Sequence, residues 1–125
     1  VRLRVVEAGD SGAPVVVLCH GFPELAYSWR HQIPVLADAG YHVLAPDQRG
    51  YGGSSRPEAL EAYDIHHLTA DIVAALDDVG AERAAWVGHD WGAAVTWWLA
   101  AHHPGRVARA AVLNVPHPAV LGQAL

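Results

Sequence analysis

The sequence predicts an α/β fold, a mostly parallel sheet with helices on both faces and right-handed crossovers. Three observations predict it. Short apolar runs such as Val15-Val16-Val17-Leu18-Cys19 carry no alternation, the pattern of a strand covered on both sides. The segments between such runs repeat apolar residues at threes and fours, as helices do. The two kinds of segment alternate as strand, helix, strand, helix, strand, helix, strand. The 125 residues fit one domain, and 52% hydrophobic with 17% charged residues is a globular composition, not a disordered one.

In chain order, Val1, Leu3 and Val5 alternate with Arg2, Arg4 and Val6, which predicts a half-exposed strand over Val1–Glu7 near a sheet edge. A turn at Gly9–Pro14 leads into the strand Val15–Cys19. Trp29, Ile33, Leu36 and Ala37 share one helical face, Gly40 stands where a C-terminal cap belongs, and Pro34 is expected to kink or split this helix. The strand Tyr41–Ala45 follows. Asp64 is placed to cap a second helix carrying Ile65, Leu68, Ile72, Leu76 and Val79, which Gly80 closes. After the strand Ala84–Val87 comes a helix from Trp91 to His103, apolar nearly all round and therefore expected to be the most buried, with Trp86, Trp97 and Trp98 as core. The strand Ala108–Leu113 is the last, and Pro116–Leu125 completes no further unit. With no methionine at position 1 and an unfinished end, residues 1–125 read as part of a single core domain truncated at both ends.

Composition narrows the function classes. A formal charge of -5 argues against a nucleic-acid or anionic-membrane partner. No run approaches the roughly 18 apolar residues of a membrane helix. The single Cys19 makes no internal disulfide, and a cytoplasmic setting is the simpler expectation. All eight basic residues are arginine, and the Ala-rich, Lys-free composition suggests a high-GC bacterial gene.

In such a sheet ligands gather at the carboxyl ends of the strands. After Val87 comes Gly88-His89-Asp90-Trp91-Gly92, small residues two before and two after a polar centre between strand and helix. That is a nucleophile elbow, a strained bend whose flanking positions tolerate no bulk. The usual centre is Ser; here it is Asp90. A carboxylate suits displacement at a saturated carbon, forming an alkyl ester that water must then hydrolyse. The plainer alternative is that Asp90 only caps the following helix. After Cys19 comes His20-Gly21-Phe22-Pro23-Glu24, a turn that in this arrangement aims a backbone N–H at a developing oxyanion, with a second N–H from the residue after the nucleophile. Those donors are Phe22 and Trp91. A third loop, Asp47–Pro57, is rich in glycine, and Asp47 with Arg49 is expected to hold it beneath the site.

HGFPE, SWRHQIP, DQRGYGGSSRP, VGHDWG and LNVPHP, in this order, resemble the N-terminal part of the α/β-hydrolase fold, specifically its soluble epoxide hydrolases. The resemblance covers nearly the whole chain. It implies a partial α/β-hydrolase fold, without lid or C-terminal strands, and a reaction in which Asp90 opens an epoxide and water releases a vicinal diol. It also implies Phe22 and Trp91 as oxyanion donors, with His20, Gly21, Pro23, Gly88, His89 and Gly92 supporting the two motifs. No metal or cofactor is implied; the partners are a small epoxide and water. The family's water-activating His, its supporting acid and its two lid tyrosines would all fall beyond Leu125.

None of the nine histidines substitutes for that base. His66 with His67, and His102 with His103, are helical neighbours facing apart; His31, His42, His89 and His117 are expected to be solvated or packed. Tyr27 and Tyr51 are candidate pocket-lining residues. Two other readings remain open. A haloalkane or haloacid dehalogenase would use the same Asp, but Phe22 brings no halide-donating side chain and Trp91 stands where fluoroacetate dehalogenases tend to place Arg. A non-catalytic fragment lacking the general base is the other.

Overall fold

A computed structural model describes residues 1–124; Leu125, the end of the expected tail, lies outside the described residues. Five strands, β1 (Val5–Ala8), β2 (Val15–Cys19), β3 (His42–Pro46), β4 (Ala84–His89) and β5 (Val107–Leu113), form one sheet in the order β1-β3-β2-β4-β5. The pairs β2 with β3, β2 with β4 and β4 with β5 are parallel, while β1 joins the edge antiparallel to β3. The helices are α1 (Gln32–Asp38), α2 (Ile65–Asp78), α3 (Trp91–His102) and α4 (Pro118–Ala124), with a 3-10 turn at Ala26–Trp29. The predicted fold class holds.

The lack of alternation in β2 reflects two cores, one on each sheet face. Val15, Val17 and Cys19 join Ile72, Leu76, Trp86, Val95 and Leu99 on one face. Val16 and Leu18 join Ala26, Trp29, Val43 and Ala45 on the other. Both faces of a central parallel strand are dry because crossover helices cover both.

Local details correct or refine the expectations. The edge strand starts at Val5 and not at Val1, because Arg2 and Arg4 bond instead to Ser54, Ser55 and Asp47 of the glycine-rich loop. Pro34 splits rather than kinks: it falls in the first turn of α1, where its missing N–H costs nothing, and a break at Arg30-His31 separates α1 from the preceding 3-10 turn. Trp86 is core, but Trp97 and Trp98 are half-buried; the Trp97 indole donates to the Val115 carbonyl at 3.0 Å and Trp98 stacks on His102. β5 is largely exposed, since among the described residues it pairs only with β4, and the tail after it forms α4. Asp64 caps α2 as expected, accepting the His67 N–H at 2.9 Å.

The chain leaves β2 toward β3 on one side of the sheet and β4 lies on the other, so the strand order reverses between β2 and β4. Their ends are in register, Cys19 beside Gly88. The loops after these two strands diverge there and open the crevice that parallel sheets offer to ligands.

Candidate active site

Asp90 has φ 57° and ψ -121°, one of two non-glycine residues with positive φ among the described residues. Such a conformation costs on the order of 1–3 kcal/mol and persists only where the surroundings enforce it. Here they do. The Asp90 N–H donates to the Leu113 carbonyl of β5 at 3.3 Å, and its carbonyl accepts from Ala93 and Ala94 of α3 at 3.0 and 3.2 Å. Bulk is excluded on either side: a Cβ at Gly92 would lie 2.1 Å from the Cys19 carbonyl oxygen, and one at Gly88 2.3 Å from that of Gly92.

The carboxylate does not cap its own helix by the usual side-chain bond. Its Oδ2 instead accepts the Phe22 N–H across the crevice at 3.0 Å. Backbone N–H groups of Phe22 first, and then Trp91, hold the Asp90 carboxyl below the ordinary carboxylate value of 3.8. The two donors anticipated for an oxyanion thus converge on this side chain. The Phe22 and Trp91 rings are exposed around it. Asp90, Trp91, Ala94 and Val115 line an open cleft of about 200 Å³, and Trp91 also borders a second of about 190 Å³ with Gln48, Tyr51, Tyr63 and Leu68. Burial, then the Asp90 charge, raises the Tyr51 hydroxyl pKa above 10.0. Tyr27 stays outside these clefts, exposed beneath the Arg30 guanidinium.

The turn carrying Phe22 is braced from below. His20 is fully buried; its Nδ1–H donates to the Gly21 carbonyl at 2.8 Å and its Nε2 accepts the Gln48 N–H at 2.9 Å, which assigns the tautomer. Burial lowers its pKa below 6.5. The Phe22–Pro23 peptide is cis. Asp47 and Arg49 do hold the third loop, but through separate partners rather than as a pair. Buried Asp47 accepts the N–H groups of Ala26 at 2.8 Å and Gly53 at 3.0 Å; Arg49 makes a two-pronged bond to Asp71 at 2.6 and 2.7 Å.

Sequence reasoning gave Glu24 and Asn114 no individual role and left His89 as a support of the elbow motif, solvated or packed. All three meet beside Asp90. Glu24 Oε1 accepts the Gly21 N–H and the His89 Nδ1–H, each at 3.0 Å, and the Asn114 amide donates to His89 Nε2 at 3.0 Å. Partial burial opposes ionisation of Glu24, yet the bonds from His89 and Gly21 hold its carboxyl below 4.5. The three residues line a cleft of about 320 Å³ with Ser28, Trp29 and Gln32. A signal was available: an acid three residues after Gly21 reaches back to that residue's N–H as helix-capping side chains do. The remaining histidines form no base here. His31, His66, His67, His102, His103 and His117 are exposed, and buried His42 bonds to Glu7 at the start of β3. Among the described residues, no three His, Cys, Asp or Glu side chains are grouped to hold a metal ion, and no helix is long and apolar enough to cross a membrane.

A family model described as alpha/beta hydrolase fold matches residues 14–124. The chain is 79% identical over 116 residues to Epoxide hydrolase A of Mycobacterium tuberculosis, covering 93% of this chain and 36% of that protein. It is 49% identical over 116 residues to Bifunctional epoxide hydrolase 2 of Sus scrofa, covering 93% of this chain and 20% of that one. The crystal structure of Epoxide Hydrolase A from Mycobacterium thermoresistibile superposes with a TM-score of 0.90 at 64% identity, over 98% of this chain and 40% of the other. The chain therefore spans little more than a third of the length of its mycobacterial relatives.

Proposed function

The chain belongs to the alpha/beta hydrolase fold family, and on that premise we propose that it is the nucleophile-bearing part of a cytoplasmic epoxide hydrolase. The observation that carries this reading is the elbow residue: a carboxylate, not a hydroxyl, already bonded to the Phe22 N–H at 3.0 Å. The names of its relatives, with 79% identity to an epoxide hydrolase, point the same way.

With Oδ2 held by Phe22, Oδ1 of Asp90 is the oxygen left to attack. It displaces the ring oxygen from one oxirane carbon. The C–O bond of the ring breaks, its electron pair stays on oxygen, and an alkyl ester of Asp90 forms. The alkoxide takes a proton, and water then adds to Cγ of the ester. The negative charge of that tetrahedral intermediate gathers on Oδ2, which never leaves its donors, and the N–H groups of Phe22 and Trp91 stabilise it. Collapse expels the diol and restores the carboxylate. The proton donor for the alkoxide and the base for water are proposed to come from the remainder of a longer protein, consistent with the 36% coverage of the mycobacterial relative.

The test follows the oxygen atoms. In a single turnover of the full-length protein in ¹⁸O-water, the label is expected in Asp90 and not in the first diol released, and Asp90→Asn is expected to form no ester detectable by mass spectrometry. Label appearing directly in the first diol, with Asp90 unlabelled, would overturn the proposal.

A further inference from the structure

We propose that Asn114 and His89 are positioning residues: acting through Glu24, they lock the oxyanion turn against the elbow so that the Phe22 N–H stays aimed at Asp90 Oδ2. This deepens the reading of Asp90 as nucleophile and rests on it.

The Phe22 N–H belongs to the peptide that follows Gly21, and the Gly21 N–H is itself anchored on Glu24 Oε1 at 3.0 Å. Glu24 closes the turn with its own N–H, which donates to the Gly21 carbonyl at 3.1 Å. What fixes Glu24 is His89, the residue before the nucleophile, through Nδ1 at 3.0 Å. What fixes His89 is Asn114, through Nε2 at 3.0 Å. The relay runs from the end of β5 to the donor of the oxyanion hole, parallel to the backbone bond from the Asp90 N–H to Leu113. Gly21 is the thin wall between relay and nucleophile: a Cβ there would lie 2.4 Å from Asp90 Cβ and 2.9 Å from Glu24 Oε1.

The relay works with one tautomer only. An amide N–H₂ facing Nε2 requires a lone pair there, which leaves the proton on Nδ1, where the Glu24 carboxylate accepts it. With the proton on Nε2, the Nδ1 lone pair would oppose that carboxylate and release the turn. The Glu24 carboxylate, which only accepts, demands the Nδ1–H tautomer, and the Asn114 amide with its N–H₂ turned to Nε2 reinforces it. The φ of 71° at Asn114 turns it back toward β4, a conformation Asn tolerates better than other side-chain-bearing residues.

Nitrogen-15 NMR of the full-length protein tests the relay without substrate: His89 is expected to be protonated at Nδ1 and bare at Nε2, and a proton on Nε2 overturns the proposal. Asn114→Gly keeps the backbone free to hold φ 71° but removes the amide. It is expected to mix the tautomers and to slow ester formation on Asp90 roughly fivefold, the worth of one neutral hydrogen bond, with KM little changed. An unchanged rate overturns the proposal. Glu24→Gln, which keeps an accepting oxygen, is expected to react faster than Glu24→Ala; equal rates for the two also count against it, and this pair decides the matter should Asn114→Gly not fold. If Asp90→Asn still forms ester, the nucleophile assignment fails instead, and the tautomer result still judges the relay.

Discussion

Asp90 is kept ionised chiefly by backbone N–H groups, while burial disfavours the charged form of His20 beneath the same turn. These opposite demands give the site an acid limit. His20 uses both ring nitrogens, and its Nε2 is the acceptor for Gln48; a proton there forfeits that bond. Because the folded pKa lies below 6.5, the unfolded chain binds the proton more readily. Stability from this group is thus complete above pH 6.5 and drains as pH falls through the lower folded value. Urea unfolding of the full-length protein at pH 7.5 and 5.5 is expected to show a loss in the parent that is smaller in His20→Gln; identical losses would refute this. Asp90 behaves with the same sign in a different window. Its depressed pKa keeps the Asp90 carboxylate charged until the pH drops below 3.8.

Among the elements, the third loop shows how a polar pair takes the place of apolar packing. Arg49 and Asp71 have side chains only 7% and 11% exposed, and Arg49 also donates to the Ala62 carbonyl at 2.7 Å, tying the loop to α2 and the turn before it. Asp71→Asn would strand a guanidinium out of water at a cost of about 3 kcal/mol, readable in the denaturation midpoint. A change below about 0.5 kcal/mol would mean that the pair is solvated. Elements with one-sided chemistry were legible in the sequence. Unbroken Val and Leu in β2 announced a strand covered twice, and Asp64 followed by the Ile65, Leu68, Ile72, Leu76 stripe announced α2. Harder to foresee was what depends on partners distant in the chain. Arg2 and Arg4 alternate like strand residues yet bond to a loop some fifty positions away. The Glu24–His89–Asn114 relay joins the ends of three segments whose approach only the folded sheet creates. The elbow was readable because its two glycines flank Asp90 at fixed spacing between a strand and a helix; the side chains gathered around it were not.

For the molecule as a whole, the reversal of strand order between β2 and β4 places the turn carrying Phe22 and the elbow carrying Asp90 and Trp91 at one point, and β5 completes the grip on Asp90 through Leu113. Yet β5 has one neighbour among the described residues and a mostly exposed surface. An unpaired, apolar strand edge recruits other chains. The polypeptide 1–125 produced alone is expected to self-associate, and any folded fraction to take up one equivalent of a reactive epoxide on Asp90 without releasing diol. Light scattering and intact-mass measurement check the two parts; sustained diol production by these residues alone would show that the base lies among them.

Trp91 sits at the junction of both clefts and is 58% exposed, whereas Trp29 and Trp86 are buried. An indole so placed, next in the chain to the group proposed to be esterified, changes its emission when solvent in front of it is replaced by a bound molecule. The protein thus carries its own optical gauge of occupancy, and stopped-flow fluorescence can time arrival and departure with no dye attached.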